Sequence, residues 1–357
     1  QRDERLDGVE VLRFRYAPER LQTLAGDGGI LANLKSRRWK WLLLPGFFLG
    51  LAFATFREIR KWHPDIVHAH WLIPQGLVMA LFGSICRKLP PFVVTSHGGD
   101  LFALKRWPFP VLKRFVGRRA AVVTVVSEAM KVELLELGVP EKKISIQPMG
   151  VDLESLFTPD LEISRSETEL LFVGRLVEKK GLRYLLDALP AVLKAHPNLR
   201  LTVIGFGPQE ASLREQTKRL KLEGVVRFLG GKSPTEVAGY YQRAALFVAP
   251  FVEASDGDQE GLGLVTVEAI GCGCPVIISD LPATREVVEK GDCLIRPQSS
   301  KELARSIELV LSMRSEERRG LAFSQRRFIE GRFDWSSRSR SYAQLLESFS
   351  GRRSISS

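Results

Sequence analysis

The chain has 357 residues, of which 45% are hydrophobic and 26% charged, a composition typical of a globular protein with room for two cores. Lys and Arg outnumber Asp and Glu by 52 to 41, a net charge of +11. No recognition motif accompanies this excess, so we expect no nucleic-acid partner. The four cysteines fit neither a zinc finger nor a redox pair, which predicts buried, reduced thiols in a cytoplasmic protein.

The first half of the sequence predicts buried strands that alternate with helices. The strands are predicted at 9–16, 66–70, 92–96, 121–126 and 143–147. The helices are predicted at 41–62, 75–88, 111–118 and from Ser127, as the capping residue, to 137. Short apolar runs separated by helices are typical of a parallel sheet.

One apolar run, residues 41–56, is bordered by basic residues on both sides. It has 16 residues, is interrupted by Pro45 and two glycines, and is shorter than the ~20 residues that span a bilayer. Its basic flanks at 37–40 and 57–61 fit a helix lying in the interface of an anionic membrane. The basic residues around 113–119 suit the same partner, or phosphorylated ligands. A helix packed on a sheet is the alternative.

A second alternation follows a polar segment at 162–168, which we interpret as a linker between domains. Strands are predicted at 170–173, 201–204, 225–229, 246–249 and 276–279. Helices are predicted at 182–196, 209–220, 234–243, 300–313, 315–331 and 337–349, with a disordered tail at 351–357. The alternation predicts an α/β protein with doubly wound sheets, whose ligands bind beyond the carboxyl ends of the strands.

The stretch 250–279, PFVEASDGDQEGLGLVTVEAIGCGCPVIIS, carries the most informative pattern. Gly261 and Gly263 free the backbone where a helix begins, so N–H groups and the helix dipole favour an anion such as a phosphate. Glu260 and Glu268 lie just over two helical turns apart. Their carboxylates can bind two sets of hydroxyls on one extended ligand. The alternative is a pair of solvated surface acids.

Two glycine-containing loops follow other predicted strands. Gly174, Arg175 and Lys180 follow the strand at 170–173, where two cations would hold a diphosphate and stabilise it as a leaving group. A solvated basic loop is the alternative. Gly205 and Gly207 follow the strand at 201–204 and fit a phosphate-approach loop or an ordinary tight turn equally well.

A histidine loop, SHGGD, ends the strand at 92–96. Its two glycines let the backbone close on a ligand while His97, near Asp100, donates or accepts a proton. A structural histidine is the alternative. We interpret His68 and His70 as packing or rim residues, because two histidines without a further ligand are weak evidence for a metal.

A divalent metal at Asp256 and Asp258 would be another way to hold a nucleotide diphosphate. Arg175 and Lys180 would already neutralise that diphosphate, and a hard cation needs more oxygen ligands than this loop offers. We therefore expect no metal.

Seven short sequence motifs occur along the chain. They are DIVHAHW, TSHGGD and QPMGVD in the first half, then VGRLVEKKG (173–181), VIGFGP (203–208), an E-x7-E segment from Glu260 to Glu268, and GCGCPVI (271–277). Together they resemble the retaining family-four glycosyltransferases of the GT-B fold, over nearly the whole chain. The string DGDQEG is similar to a bacterial subgroup that builds polysaccharides and glycolipids.

The resemblance implies two Rossmann-like, doubly wound domains that face each other across a cleft. Residues 1–161 would bind the acceptor and residues 162–335 the nucleotide-sugar donor, with a helix at 336–350 packing back on the first domain. The family transfers sugars with retention and needs no metal. We expect no cofactor besides the nucleotide-diphosphate sugar that serves as donor.

The resemblance also implies residue roles. Arg175 and Lys180 would hold the diphosphate, Glu268 the ribose and Glu260 the transferred sugar. The implied catalytic residues are His97, Arg175, Lys180 and Glu260. The implied donor-binding residues are Asp100, Gly174, Gly205, Gly207, Gly261, Leu262, Gly263 and Glu268.

Three departures from the family pattern stand out. Family members open with a strand, a glycine-rich loop and a helix, and no such unit precedes residue 9, which predicts an N-terminally truncated chain. Leu262 stands where phenylalanine is frequent, and Met149 where asparagine is common. Neither replacement changes a charge, whereas a missing loop would remove part of the acceptor side.

The predicted function is hexose transfer from a nucleotide-diphosphate donor to a carbohydrate or lipid-linked acceptor in polysaccharide or glycolipid biosynthesis. The expected location is the cytoplasm, or the inner face of the membrane. Two other classes stay open. A glycoside hydrolase would use Glu260 and Glu268 as acid and base, and a non-catalytic fragment would only bind the sugar nucleotide.

Overall fold

The computed structural model describes residues 3–6, 8–25, 30, 33–34, 37–86, 88–160, 162–289 and 293–350. The predicted tail at 351–357 lies outside the described residues. The described part contains two parallel sheets and one antiparallel hairpin.

The hairpin pairs strand β1 (Asp3–Leu6) with β2 (Val9–Leu12). The predicted strand at 9–16 is therefore shorter in the structure, and β1 was missed. Among the described strands, these two join neither parallel sheet, and their apolar side chains at Leu6, Val9 and Leu12 are exposed.

The first parallel sheet has the strand order β3-β4-β5-β6. Its strands are β3 (Val67–His70), β4 (Phe92–Thr95), β5 (Val122–Val125) and β6 (Ile144–Ile146). The helices of this half whose full ranges are described are α1 (Leu44–Trp62), α2 (Leu77–Ile85), α3 (Gly99–Phe102), α4 (Phe109–Arg119) and α5 (Glu128–Glu136). Strands β4 and β5 are buried throughout, which explains their uninterrupted apolar sequence.

The second sheet has the order β12-β11-β10-β7-β8-β9, with parallel pairing throughout. Its strands are β7 (Glu169–Val173), β8 (Arg200–Ile204), β9 (Val226–Phe228), β10 (Leu246–Ala249), β11 (Val276–Ser279) and β12 (Leu294–Ile295). Its helices are α6 (Leu182–Ala195), α7 (Glu210–Arg219), α8 (Pro234–Arg243), α9 (Leu264–Gly271), α10 (Ser300–Ser312) and α11 (Ser315–Ile329). The predicted doubly wound α/β fold is confirmed. The order reverses between β7 and β10, where such sheets open a crevice for a ligand.

The helical stretch that contains α1 is longer than the apolar run in the sequence. A 3-10 turn, Arg38–Leu43, leads into α1, and together they form the stretch Arg38–Trp62 of 25 residues. Among the described helices, it alone has the length and apolar composition to cross a membrane. Only 17% of its most apolar window is buried inside the protein, although Phe47 and Ile59 pack inward.

The last helix, α12 (Trp335–Phe349), crosses back onto the first half. The Val151 N–H donates to the Phe333 carbonyl at 2.8 Å, and the Trp335 N–H donates to the Val151 carbonyl at 3.0 Å. The Tyr342 hydroxyl then donates to Thr124 Oγ1 of β5 at 3.1 Å. The domain boundaries expected from the sequence stay a prediction.

The amino end of α5 is capped by the second half of the chain. Ser127 occupies the capping position, but within the described residues its hydroxyl makes no capping hydrogen bond. Instead, the Glu128 N–H donates to Glu286 Oε1 at 2.6 Å, and Glu286 also accepts from Ala129. The predicted capping position of Ser127 is therefore confirmed, but the capping hydrogen bonds come from a carboxylate distant in sequence.

Candidate functional site

The site lies where the chain leaves β7 and β10, the two neighbours at the reversal of strand order. Gly181, at φ +67°, follows the loop after β7, and a Cβ there would lie 1.7 Å from the Pro250 carbonyl oxygen. Only glycine fits this position, so the loop after β7 lies directly against the segment after β10.

Three side chains of the loop after β7, named here the EKK loop (residues 178–180), contact the acidic loop (residues 253–260). The Glu178 carboxylate accepts from the Ser255 N–H and hydroxyl at 3.0 and 2.8 Å. Lys179 Nζ lies 3.1 Å from Asp258 Oδ1, and Lys180 Nζ lies 2.7 Å from Glu260 Oε2. The two loops therefore meet in a fixed register.

The Lys180–Glu260 ion pair is nearly buried, since about one seventh of each side chain is exposed. Burial alone would raise the pKa of the Glu260 carboxyl, but the Lys180 and Lys179 ammoniums outweigh it and hold that pKa below its usual value. Glu260 is thus held as a carboxylate. Lys180 Nζ also lies 4.6 Å from the centre of the Phe251 ring.

Helix α9 begins directly after the acidic loop and carries the second glutamate. Gly263, at φ +87°, forms its amino end, and its N–H bonds the Glu260 carboxylate. The buried Tyr241 hydroxyl donates to Glu268 Oε2 at 3.1 Å. Burial raises the pKa of Glu268, and Tyr241 and Lys180 offset only part of that effect. The two predicted acids therefore lie in opposite electrostatic environments.

Gly205 and Gly207 pack against the backbone that carries Arg175. A Cβ on Gly205 would lie 2.0 Å from the Gly174 carbonyl oxygen, and one on Gly207 would lie 2.5 Å from that of Leu176. These glycines hold the loop containing Arg175 against the next loop of the sheet. The tight-turn interpretation is sufficient to explain both.

His97 belongs to a row of three histidines at the end of the first sheet. His70 Nδ1 lies 3.0 Å from His97 Nε2 with the rings stacked, and His68 Nε2 lies 2.6 Å from Thr95 Oγ1. Burial lowers the pKa of His97, as does the neighbouring His70, and burial lowers that of His68 to about 4. His97 is therefore a neutral imidazole at pH 7 that can accept or donate one hydrogen bond.

Asp100 is turned toward the protein rather than toward a ligand. Its Oδ1 accepts from the Ser96 hydroxyl at 2.8 Å and the His97 N–H at 3.2 Å, while its Oδ2 accepts from the Leu72 N–H at 2.7 Å. The side chain is buried. Asp100 thus holds the loop that carries His97, and its expected contact with a ligand stays a prediction.

The histidine loop meets the acidic loop across the two halves. A Cβ on Gly98 would lie 3.1 Å from the Gly261 Cα, and Gly98 has φ +100°, so glycine is needed there. Lys105 Nζ lies 3.9 Å from Glu253 Oε1. The loop that carries His97 therefore lies directly against the amino end of α9.

No group of three or more His, Cys, Asp or Glu side chains within the described ranges is placed to hold a metal ion. Asp258 Oδ1 is occupied by Lys179, and burial raises the pKa of this carboxyl. All four cysteines are free, and burial raises the pKa of Cys272 to about 12 and that of Cys274 to about 11. Cys272 and Cys274 are buried, as predicted.

Two family models match consecutive parts of the chain. Glycosyltransferase Family 4 matches residues 7–155, and Glycosyl transferases group 1 matches residues 157–326. This chain is a family-four glycosyltransferase. Membership of the family decides between the open classes, because it makes the chain a sugar-transferring enzyme rather than a glycoside hydrolase.

Similar proteins include both polysaccharide and glycolipid enzymes. The glycosyltransferase is 29% identical over 359 residues to a glycogen synthase of Mycobacterium tuberculosis, covering 96% of this chain and 81% of the relative. It is 31% identical over 250 residues to a phosphatidyl-myo-inositol mannosyltransferase of the same species, covering 67% and 62%. The structure of Anabaena HepE in complex with UDP-glucose matches with a TM-score of 0.70 and 22% identity, over 84% of this chain and 82% of that one.

Several residues that shape the site of this glycosyltransferase were not predicted from its sequence. They are Lys105, Glu178, Lys179, Tyr241 and Ser255. Lys179 lies beside Lys180 in the string VGRLVEKKG. Spacing does not show which way each of two adjacent lysines in a loop points, so only Lys180 was predicted to be a site residue. Tyr241 gave no signal, because an aromatic residue on a helix is usually core packing.

Proposed function

We propose that this glycosyltransferase takes a sugar from a nucleoside-diphosphate donor and passes it, with retention and without a metal, to a carbohydrate or lipid-linked acceptor. The observation that carries the proposal is the meeting of Lys180 and Glu260 at the reversal of strand order. Lys180 is a cation suited to bind a diphosphate, Glu260 is an anion suited to bind sugar hydroxyls, and the two side chains are in contact.

The donor class is supported by the charge of the site and by a structural relative. HepE was solved with UDP-glucose, and its fold matches that of this glycosyltransferase over most of the chain. We assign Arg175 and Lys180 to the diphosphate, because fixed cations stabilise the charge that grows on a leaving phosphate. The amino end of α9, with Gly261, Leu262 and Gly263, adds N–H groups and the positive end of a dipole.

The acids are assigned to the hydroxyl groups of the donor. Glu260 exchanges its contact with Lys180 for the transferred sugar, while Lys180 turns to the phosphate. Glu268, fixed by Tyr241, binds the ribose. His97, as a neutral imidazole, hydrogen-bonds the sugar or the acceptor from the opposite half.

The acceptor class and the location rest on relatives and chemistry. Relatives named for glycogen synthesis and for phosphatidylinositol mannosylation support polysaccharide and glycolipid acceptors. The buried, free thiols of Cys272 and Cys274 are typical of the reducing cytoplasm, so we place the enzyme there or at the inner face of the membrane.

The double substitution Arg175→Ala with Lys180→Ala tests the proposal. Transfer from UDP- and GDP-sugars should fall at least about a thousandfold, because both contacts to the leaving group are lost. Donor binding, measured by calorimetry, should weaken in parallel while the circular dichroism spectrum is retained. The matched control is Lys301→Ala with Arg305→Ala, two exposed basic residues on α10.

Unchanged turnover in the first variant would refute the assigned role of the cations. Loss of turnover on adding a chelator, restored by a divalent metal, would refute the metal-free mechanism.

A further inference from the structure

One face of the first half combines exposed basic and apolar side chains. We propose that this face, formed by the stretch Arg38–Trp62, helix α2 and the loop at 104–108, docks on an anionic lipid bilayer. The docking goes beyond sugar transfer and does not depend on the donor assignment. It is named here the basic-apolar face.

The net positive charge of the whole chain comes from one segment. Residues 37–119 contain 14 Lys and Arg against three Asp and Glu, a net +11 that equals the net charge of all 357 residues. The other residues are therefore neutral in sum. The exposed basic residues of the segment are Arg37, Arg38, Arg57, Arg60, Lys61, Lys88, Lys105, Arg106, Arg114, Arg118 and Arg119.

Two basic residues expected at such a surface point inward instead. Lys40 Nζ donates to the Thr23 carbonyl and to Asn33 Oδ1, and Lys113 Nζ donates to the Leu101 and Ala103 carbonyls. Both are buried and hold local structure. The charge of the basic-apolar face therefore comes from the arginines and lysines at the ends of its helices.

The same segment concentrates exposed apolar side chains. Of the 21 large apolar residues exposed in the described part of the chain, eleven lie between positions 37 and 119. Leu49 and Phe53, one turn apart on α1, are 71% and 69% exposed, and Ile85 on α2 is 80% exposed. Trp107, in the loop before α4, is 83% exposed. A concentration of large exposed apolar side chains in one segment is typical of an interaction surface.

Helix α1 lies along the protein surface rather than projecting from it. A Cβ on Gly46 would lie 2.4 Å from the Tyr16 carbonyl oxygen, and one on Gly50 would lie 2.6 Å from that of Arg15. The glycines thus allow the close packing of one side of the helix, which leaves Leu49 and Phe53 outward. A helix with one packed side and one apolar side bordered by basic residues fits the plane of a membrane interface.

The basic-apolar face continues from α1 to the active-site cleft. The Phe56 ring of α1 contacts the Phe82 ring of α2 at 5.8 Å between centroids, and α2 packs against α4. The loop before α4 carries Trp107 and also Lys105, which pairs with Glu253 of the acidic loop. A bilayer on this face would therefore lie beside the mouth of the cleft.

A bilayer fits this face better than a second copy of the chain. A symmetric dimer would bring the two basic surfaces together, and like charges repel. An anionic bilayer offers headgroups to the basic residues, an apolar interior to Leu49 and Phe53, and an interface for Trp107.

Flotation with vesicles tests the proposal. The full chain should float with vesicles of phosphatidylcholine containing about one third phosphatidylglycerol and stay unbound with pure phosphatidylcholine. The bound fraction should fall steeply in about 0.5 M NaCl. Leu49→Ser with Phe53→Ser should lower binding at least about tenfold, and so should Arg60→Glu with Lys61→Glu.

Matched controls separate the face from general effects of charge or apolarity. Phe323→Ser, at an exposed position of α11, and Lys301→Glu with Arg305→Glu, on α10, should leave vesicle binding unchanged. Donor binding and circular dichroism should be retained in every variant.

Three results would overturn the proposal. They are equal binding to neutral and anionic vesicles, binding that high salt does not release (as for a spanning helix), and concentration-dependent dimers that Leu49→Ser with Phe53→Ser dissociates while vesicles stay unbound.

Discussion

The two glutamates of the site contact different kinds of partner, a lysine ammonium and a tyrosine hydroxyl. Glu260 is paired with Lys180, which keeps its carboxyl ionised. Burial favours the protonated form of Glu268, and the hydrogen bond from the Tyr241 hydroxyl offsets only part of that effect. A negative Glu260 can accept hydrogen bonds from a sugar as soon as a phosphate draws Lys180 away. The pair therefore holds both groups in readiness for the donor.

Breaking the Lys180–Glu260 pair from either side should have unequal effects. Lys180→Met leaves a buried carboxylate short of its partner and should cost roughly 2 to 4 kcal/mol, lowering the melting temperature by several degrees. Glu260→Gln keeps a polar group beside Lys180 and should cost less. Combining the two changes should cost less than their sum. Scanning fluorimetry measures all three, and additive effects would show that the two side chains do not interact.

The same pair predicts how stability depends on pH. The folded pKa of Glu260 lies below its ordinary value of 4.5, so its contribution is present above that pH and is lost as the pH falls through the folded pKa. From about pH 7 to about pH 3, the wild type should therefore lose more of its melting temperature than Glu260→Gln. Parallel curves would contradict this coupling.

At the scale of elements, the site is built by loops that side chains lock together and by a helix that returns from the other end of the chain. The EKK loop is fixed to the acidic loop at three positions, through Ser255, Asp258 and Glu260. Helix α12 is fixed to the first sheet by hydroxyl groups, since Tyr342 contacts Thr124 and Ser341 donates to Gln147 Oε1 at 2.9 Å. Polar contacts of this kind specify position more than they add stability.

Removing the hydroxyls of α12 should loosen the helix without unfolding the chain. Tyr342→Phe with Ser341→Ala leaves Thr124 and Gln147 without these partners and should cost about 1 to 2 kcal/mol. Hydrogen exchange should rise in residues 335–349 and stay unchanged in the second sheet. Ser348→Ala is the control, because the Ser348 hydroxyl donates to the Leu345 carbonyl of its own helix. Equal exchange in the two variants would contradict the docking role of the hydroxyls.

At the scale of the whole molecule, the two halves are joined around the cleft. One apolar core runs through both, and Gly98 lies against Gly261. In a separate contact, the Glu286 carboxylate of the second half accepts a hydrogen bond from the amino end of α5 in the first half. A carboxylate at that place satisfies free N–H groups and the helix dipole together.

Glu286→Ala should weaken the contact between the halves. Loss of a capping carboxylate typically costs about 1 kcal/mol, so exchange of the Glu128 and Ala129 amides should speed up about fivefold to tenfold. Donor affinity should be unchanged, because the substitution lies outside the donor loops. Glu286→Gln, which keeps one acceptor oxygen, should behave nearly as the wild type. Unchanged exchange in Glu286→Ala would show that the cap is dispensable.

Local patterns in the sequence were sufficient for most of the fold. Short apolar runs and helical spacing located every described strand of the first parallel sheet and all but β12 of the second, because a buried parallel strand needs an unbroken apolar sequence. Glycines and charges after the strands predicted a site at the edge where the parallel strands end, and the roles assigned to those residues stay predictions. The weak points were elements without such a pattern, namely the exposed hairpin strand β1 and the two-residue strand β12.

Contacts between distant residues were decided only by the tertiary structure. The pairing of Lys180 with Glu260, the bond from Tyr241 to Glu268 and the capping of α5 by Glu286 each join positions whose spacing carries no signal. The same holds for Asp100 and Lys113. The sequence predicts a ligand-binding carboxylate and a surface ammonium, whereas both side chains are buried and hydrogen-bonded to backbone groups. The sequence by itself determines which charged and polar side chains lie at the edge of a sheet. Which partner each of them contacts there, a charge or a backbone N–H, depends on how separate elements pack in the tertiary structure.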